Sequence, residues 1–384
     1  MKIIHVVSGM DPKAGGISQA IRTMIGGLTD QGIYSEVVSV GSEMGDHETN
    51  DPFPIHFTGP GKSAWQFSAG LQSWLNKNLA HYDAVLVHGL WQYHTYAVYQ
   101  AINTINGPRP KVYVMPHGML DPWFQQAKGR EIKSLRNWLI WKFLEHRIIH
   151  LADGIFFTCE TERKLARQTF SPYYPKSELV VGLGVHRPPP YTLEMQEAFS
   201  KACNVKNRRY LLFLGRIDEK KGVNLLVDAY LSLKSEGYDL PPLVIAGPGM
   251  DTPFGISIKK QALYEKEIYF PGMLSGPAKW GAFYGCEAFL LPSHQENFGI
   301  AVVEAMACSR PVLISDQVNI WREIENNGGG LVEKDTSDGV RNLLVNWLSL
   351  SQTERAQMSS KARKAFLGDF SVEKAAGKLG KVLA

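Results

Sequence analysis

An alternation that recurs ten times constrains this chain more than any other feature. Short apolar runs, "KIIHVV", "SEVVSV", "AVLVH", "KVYVM" and "GIFFT" in the first part and "YLLFLG", "PLVIAG", "EIYFPG", "AFLLPS" and "PVLIS" in the second, are separated by longer stretches with helical patterning. Runs that are apolar at both parities have no solvent face, so each predicts a strand covered on both sides. Such strands joined by helices predict the right-handed crossovers of a parallel sheet. At 384 residues, 44% of them hydrophobic, the chain is too long for one ordinary core, since single cores stop growing at about 250–300 residues. The fold class expected is therefore α/β, with two doubly wound parallel-sheet domains.

The boundary falls where the pattern breaks. "GVHRPPPYTLEMQEAFSKACNVKNRR" carries three successive prolines and then a polar stretch, which predicts a first domain over 1–185, a linker over 186–208 and a second domain over 209–368. The final "FSVEKAAGKLGKVLA" has helical spacing with no strand after it. It can close the second domain or cross back to the first.

Composition excludes several classes. Charged residues make up 20% and the net charge is only +4, which leaves no basic stripe for nucleic acid but is compatible with anionic small molecules. Cys159, Cys203, Cys286 and Cys308 lie far apart without metal-ligand spacing, as in a reduced intracellular protein with neither a disulfide nor a zinc site. The apolar run of "MKIIHVVSGMD" stops at Ser8-Gly9, and no other stretch approaches a span of about twenty apolar residues. The expected location is the cytoplasm, with contact at the inner face of the membrane at most peripheral.

In open α/β domains, ligands bind at the carboxyl ends of the strands. The first such turn, "SGMDPKAGGISQAI", lacks the spacing of a dinucleotide fingerprint, which argues against a nicotinamide enzyme. Gly15 and Gly16 still leave bare backbone ahead of a helix, as in a ligand-binding turn or a plain tight turn. Two domains with ligand edges facing each other predict a cleft where chemistry would occur.

The second half supplies two stronger motifs. In "FLGRIDEKKGVNLLVDAY" a strand ends before Gly215, and Arg216 and Lys221 precede a helix. A guanidinium and an ammonium at that edge can converge on a diphosphate, or simply pair with Asp218 and Glu219. In "AFLLPSHQENFGIAVVEAMA" a buried strand and a turn lead into an apolar helix. The backbone N–H groups of Asn297, Phe298, Gly299 and Ile300 at the positive end of that helix suit a phosphate. Glu296 sits in the turn and Glu304 a little over one turn into the helix, leaning back toward its start. Carboxylates beside phosphates repel them, so these two fit neutral hydroxyls or a developing cation. A sugar nucleotide offers both. Taken separately, the pair also reads as one helix-terminal charge and one satisfied core acid.

"GRIDEKKG" followed by "PSHQENFGIAVVEAMACSRPVL" resembles the donor site of the GT-B retaining glycosyltransferases of family 4, whose hallmark is a Glu, seven residues and a second Glu. The likeness extends over nearly the whole chain, including the Gly-rich first loop, "VYVMPHGMLDPW" and the terminal helix. It implies two Rossmann-like domains facing across a cleft, with the terminal helix, 369–384, crossing back to the first. It also implies a nucleotide-sugar donor in the second domain, an acceptor in the first, no metal or other cofactor, and retention at the anomeric carbon. Position by position, Arg216 and Lys221 would hold the diphosphate, Glu304 the ribose and Glu296 the donor sugar. Gly16 and Gly215 would line the donor, and the backbone at Met273 and Leu274 would read the base. His117 in "PHG" would lie beside the transferred sugar, so the catalytic set implied is Glu296, His117, Arg216 and Lys221. One departure is Ser309, where the family usually has a glycine that ends the helix.

On the acceptor side, Gly15, Trp91, Asp121 and Trp123 follow strands, and the two tryptophans suit stacking on a sugar or burial in the core. Residues 133–154 interleave Arg136, Lys142 and Arg147 with Trp138, Trp141 and Phe143. The expected arrangement packs the aromatics on the first sheet and leaves the charges in water, with a membrane-surface helix as the alternative. The function expected is transfer of a hexose-type sugar from a nucleotide donor, UDP before GDP, to a hydroxyl of a glycan or lipid-linked glycan acceptor, releasing UDP. A nucleotide-sugar 2-epimerase on the same scaffold and a non-catalytic sugar-nucleotide or glycan-binding protein are the alternatives.

Overall fold

The computed structural model describes residues 1–11, 16–41, 51–127, 129–205 and 209–384. They form two compact units, Met1–Gly184 with Val372–Ala384, and Val185–Ser371. In the first unit seven strands, β1 (Lys2–Val7), β2 (Tyr34–Ser39), β3 (Ile55–Phe57), β4 (Ala84–His88), β5 (Lys111–Met115), β6 (Gly154–Phe157) and β7 (Glu178–Val180), make one sheet in the order β3-β2-β1-β4-β5-β6-β7. In the second unit β8 (Leu211–Leu214), β9 (Leu243–Ala246), β10 (Ile268–Gly272), β11 (Ala288–Leu291), β12 (Val312–Ser315) and β13 (Gly330–Glu333) run in the order β10-β9-β8-β11-β12-β13. Every strand pair within both sheets is parallel. The fold is the expected α/β one, with two Rossmann-like parallel sheets.

The ten predicted strands all form, and β3, β7 and β13 are additional. All three are sheet edges of three or four residues, half-buried throughout. An edge strand with only partial cover has no continuous apolar run to announce it.

Two stretches differ from expectation. Residues 186–205 are no bare linker, because they carry the helix Leu193–Ala202, capped by Thr192 and burying Met195 and Phe199. It lies so close to the helix Gly276–Gly285 that a Cβ at Gly281 would sit 2.0 Å from the Met195 carbonyl oxygen. Residues 206–208, the end of the expected linker, lie outside the described residues. Of the three aromatics singled out in the stretch 133–154, Trp141 is fully buried, stacked on Phe170 with centroids 4.9 Å apart, while Trp138 and Phe143 are exposed. A π-helical turn over Trp141–Glu145 places Trp141, Glu145, Ile148 and Ile149 inward and leaves the other aromatics outside.

The last helix, Val372–Leu383, belongs to the first unit, where it packs on the helix Gly16–Thr29. The contact is tight, with Gly27 leaving room for Val372 and Ala376, each of which would lie under 3.0 Å from a Cβ there. Among the described residues no helix is long and apolar enough to cross a membrane.

Candidate active site

In the second sheet the chain winds outward from β8 through β9 to β10, and outward again from β11 to β13. The switch point therefore lies between β8 and β11, at whose carboxyl ends a crevice is left. Both sequence motifs emerge there. After β8 come Gly215, Arg216, buried Ile217 and a short 3-10 turn over Glu219–Lys221, and Gly222 then caps the helix Val223–Ser235 with φ +66°. After β11 come Pro292 to Phe298, and Gly299, with φ +73°, caps the helix Ile300–Ala307.

The two turns are fitted against each other. A Cβ at Gly222 would sit 2.0 Å from the carbonyl oxygen of Pro292, so only glycine allows this approach. The Lys220 carbonyl accepts the His294 N–H at 2.8 Å and the Ser293 hydroxyl at 2.9 Å. Across the crevice Lys221 Nζ pairs with the Glu296 carboxylate, both mostly buried. Glu296 is fixed in turn through its backbone, its N–H donating to Gln317 and its carbonyl accepting from Asn319. The loop after β9 runs alongside, Gly215 N–H donating to Ala246 and Ile217 N–H to Pro248.

Glu304 reaches Lys279 of the helix Gly276–Gly285, Oε1 to Nζ 2.6 Å. Burial pushes its carboxyl above the ordinary carboxylate range, and the Lys279 ammonium opposes that. Lys279 was not singled out from sequence, since an isolated lysine in "GPAKWGAF" carries no pattern. The first-turn N–H groups at Ile300 and Ala301 have no carbonyl within the helix to bond. Helix termini of this kind accept anions.

Other predicted residues are placed differently. Arg216 is 73% exposed and turns to Asp218, Nε to Oδ2 3.4 Å, rather than toward Lys221. Phe298 is buried edge-on against Phe370, so its side chain is core and only its backbone can meet a ligand. Asn297 faces Asn319. Met273 is exposed and Leu274 buried just after β10. Ser309 keeps the left-handed turn that glycine usually makes, with φ +59°. Arg310 N–H to Ala305 and Ser309 N–H to Met306 complete a Schellman cap.

The first unit holds a second constellation. His5 Nδ1 lies 2.9 Å from His88 Nε2, and His88 Nδ1 lies 2.9 Å from His117 Nε2. His5 Nε2 is buried and has no partner among the described residues. An unpaired lone pair there costs less than an unpaired N–H. His5 and His88 then donate from Nδ1, and His117 accepts at Nε2 and keeps its own proton on Nδ1. Burial holds these rings neutral, lowering His5 to about 3 and His117 to about 4. His94 donates Nε2–H to the His88 carbonyl and is lowered to about 4.

Two buried glutamates, both missed from sequence, hold the turns at that edge. Glu162 accepts the Gly118 N–H, fixing the "PHG" turn in which His117 has φ +52°. Glu145 accepts the Trp91 N–H at 2.7 Å and the Thr95 hydroxyl at 2.9 Å, and burial raises its carboxyl to about 7. Trp91, at φ +73°, packs its ring on Phe170 and Trp141. Asp121 accepts the Trp123 N–H at the start of a short helix, and Trp123 stacks under Arg130. Gly16 opens its helix with no described residue within 4 Å of a Cβ position, whereas Gly15 lies outside the described residues. Among the described residues no group of three or more His, Cys, Asp or Glu is arranged to hold a metal.

A family model described as Glycosyltransferase Family 4 matches residues 14–181, and one described as Glycosyl transferases group 1 matches residues 195–365. Over 213 residues the chain is 30% identical to the N-acetylgalactosamine-N,N'-diacetylbacillosaminyl-diphospho-undecaprenol 4-alpha-N-acetylgalactosaminyltransferase of Campylobacter jejuni, covering 54% of each. Over 141 residues it is 35% identical to the phosphatidyl-myo-inositol mannosyltransferase of Mycobacterium leprae, covering 35% of this chain and 36% of the other. The chain thus spans about half or less of the length of the curated relatives it matches. In fold it is similar to Anabaena HepE in complex with UDP and glucose, with a TM-score of 0.76 and 16% identity over 100% of this chain and 99% of the other. With both family models in chain order and a GT-B neighbour over the full length, the chain belongs to the family 4 glycosyltransferases of the GT-B fold.

Proposed function

We propose that the protein is a retaining, metal-independent hexosyltransferase of polysaccharide or glycolipid assembly in the cytoplasm. It takes its sugar from a UDP-sugar and delivers it to a hydroxyl of a glycan or lipid-linked glycan. The observation that carries this reading is the switch-point crevice, where the Lys221–Glu296 pair lies against the Gly299 helix end, and the helix that starts there carries Glu304, paired with Lys279. Cations and N–H groups suit a diphosphate, and carboxylates set between them suit the hydroxyls of ribose and sugar. The named substrates of the Campylobacter and Mycobacterium relatives, a diphospho-undecaprenol glycan and a phosphatidyl-inositol, support a lipid-linked acceptor.

In this reading Lys221, Arg216 and the amides at Ile300 and Ala301 stabilise the departing diphosphate, with Arg216 swinging in from Asp218. Glu304 holds the ribose, and Glu296 a hydroxyl of the donor sugar. His117 offers Nδ1–H to the sugar as a neutral donor. The bond from the anomeric carbon to the diphosphate breaks, and the acceptor oxygen bonds to that carbon on the same face. The acceptor's proton passes to a leaving diphosphate oxygen. Removing one preorganised donor of this kind costs about a hundred- to a thousandfold in turnover.

Thermal-shift measurements with UDP, GDP, ADP and their sugars test the donor site, because a ligand at a hundred times its Kd adds about 2.7 kcal/mol of stability. A shift with UDP-sugars that is lost in Lys221→Ala is expected, and no shift with any nucleotide refutes the reading. NMR of the product shows the anomeric outcome, and inversion refutes retention. Free epimerised sugar formed without acceptor would instead identify an epimerase.

A further inference from the structure

The stretch 131–147 of the first unit has two opposite faces. Its inner face is fully engaged. Trp141 stacks on Phe170 and donates Nε1–H to the Pro172 carbonyl, Glu145 holds the Trp91 turn, and Asn137 is buried, with Ile148 and Ile149 continuing that face just beyond the stretch. Its outer face carries Ile132, Leu135, Leu139 and Phe143, which are 87%, 60%, 42% and 56% exposed. They recur at steps of three and four residues along the helix Glu131–Ile140 and into the π turn, so they form one stripe, with exposed Trp138 beside it. Scattered exposed apolar residues need no explanation, but five large ones within twelve positions make a contiguous patch, and such patches mark interaction sites.

Charge identifies what the stripe meets. Lys133, Arg136, Lys142 and Arg147 flank it, and among the described residues none of them pairs with a carboxylate. Arg136 bonds only the Asn137 side chain, Lys142 lies 4.9 Å over the Trp138 ring, and Arg147 lies 6.0 Å from the Tyr99 ring. The acids of the segment are Glu131 at its start and Glu145, which is buried on the inner face. A second copy of the chain docking on this stripe would set unpaired cations against the same cations. An anionic bilayer satisfies both features at once. The apolar stripe enters the acyl boundary, Trp138 sits at headgroup level, and the long basic side chains reach outward to phosphates.

We propose that residues 131–147 are a membrane-surface element that seats the first unit on an anionic phospholipid bilayer without crossing it. This surface is separate from the donor crevice, and its test needs no sugar donor. The probe is co-sedimentation of the full chain with vesicles of phosphatidylglycerol and phosphatidylcholine, and with phosphatidylcholine alone, at low and high salt. Binding to the anionic vesicles that weakens with salt is expected. A Lys133→Gln, Arg136→Gln, Lys142→Gln and Arg147→Gln variant should lose affinity by on the order of several hundredfold, at a factor of about five per basic residue near the surface. A Leu135→Ser, Leu139→Ser and Phe143→Ser variant should also lose binding. These side chains are exposed, so both variants should keep the wild-type urea midpoint, and that control separates a lost surface from a lost fold.

Wild-type protein that stays in the supernatant at low salt overturns the proposal. So does a four-charge variant that binds as well as wild type. A dimer in sedimentation equilibrium that is lost in the apolar variant, without vesicle binding, would assign the stripe to self-association and overturn it as well.

Discussion

Replacing Gly222 by alanine isolates the fit between the two turns of the crevice. The substitution carries two costs. Gly222 has φ +66°, and a non-glycine residue in that region costs about 1–2 kcal/mol. The new Cβ would also sit 2.0 Å from the Pro292 carbonyl oxygen. That atom is backbone held between β11 and Ser293, so no rotamer change relieves the overlap and the turns must separate, at about 1–3 kcal/mol. Against this, alanine restricts the unfolded chain by about 0.4–1 kcal/mol. The net expectation is a loss of about 1–4.5 kcal/mol. Gly237 supplies the control, since it has φ +88° with nothing within 4 Å of its Cβ position. Gly237→Ala bears the backbone cost alone. Urea midpoints for the two variants should therefore differ by the clash, with Gly222→Ala unfolding at the lower concentration. Separating the turns also pulls Lys221 from Glu296, so Gly222→Ala should weaken UDP-sugar binding at least about tenfold, equal to 1.4 kcal/mol. Equal urea midpoints, or unchanged nucleotide affinity in calorimetry, would refute the argument that the crevice depends on this contact.

Lys279→Met leaves the buried Glu304 carboxylate without its partner and should cost about 1–3 kcal/mol in urea unfolding. Lys279→Met with Glu304→Gln should recover most of that stability but not UDP affinity, and recovery of both would remove Glu304 from the donor site. Ser309→Gly should raise the unfolding free energy by about 0.5–1 kcal/mol, and with it the urea midpoint, because it relieves a left-handed residue at a helix end while adding freedom to the unfolded chain. A lower midpoint would contradict that. Acidification should destabilise the protein between pH 7 and 5. Below pH 6.5 the unfolded chain binds protons that folded His5, His94 and His117, lowered to about 3, 4 and 4, do not. Each such group removes about 1.4 kcal/mol per pH unit. Glu145, raised to about 7, acts oppositely by holding a proton in the fold that the unfolded chain has released above pH 4.5. Burial also lowers His88 and raises Glu304, so four imidazoles stand against two carboxyls and outweigh them, and a urea midpoint at pH 5.5 at or above that at pH 7.5 would refute neutral burial of the histidines.

Legibility followed continuity of pattern. Strands such as β4 and β11, buried at every position, are visible because their sequences have no polar phase at all. β3, β7 and β13 lie at edges, where partial cover permits mixed sequences, and they left no signal. The helix Leu193–Ala202 was hidden behind "RPPP", a strong punctuation mark whose reach ends at the Thr192 cap. In the stretch 133–154 a single π turn altered which residues face inward, and helical periodicity does not report such a change.

By itself the sequence determined the two parallel-sheet units, the turns at the carboxyl ends of their strands, the presence of Lys221 and Glu296 on those turns, and Glu304 on the helix that follows one of them. These follow from local spacing and hydrophobic periodicity, which are properties of neighbouring residues. Only the tertiary structure decided the pairings: Lys221 with Glu296, Glu304 with Lys279, Gly222 against Pro292, and the line of His5, His88 and His117. Each joins residues from different strands, helices or turns of one unit, at sequence separations between 25 and 83. Such contacts are set by strand order and by the cost of leaving a buried charge or imidazole unpaired, and neither is written in any short stretch of chain.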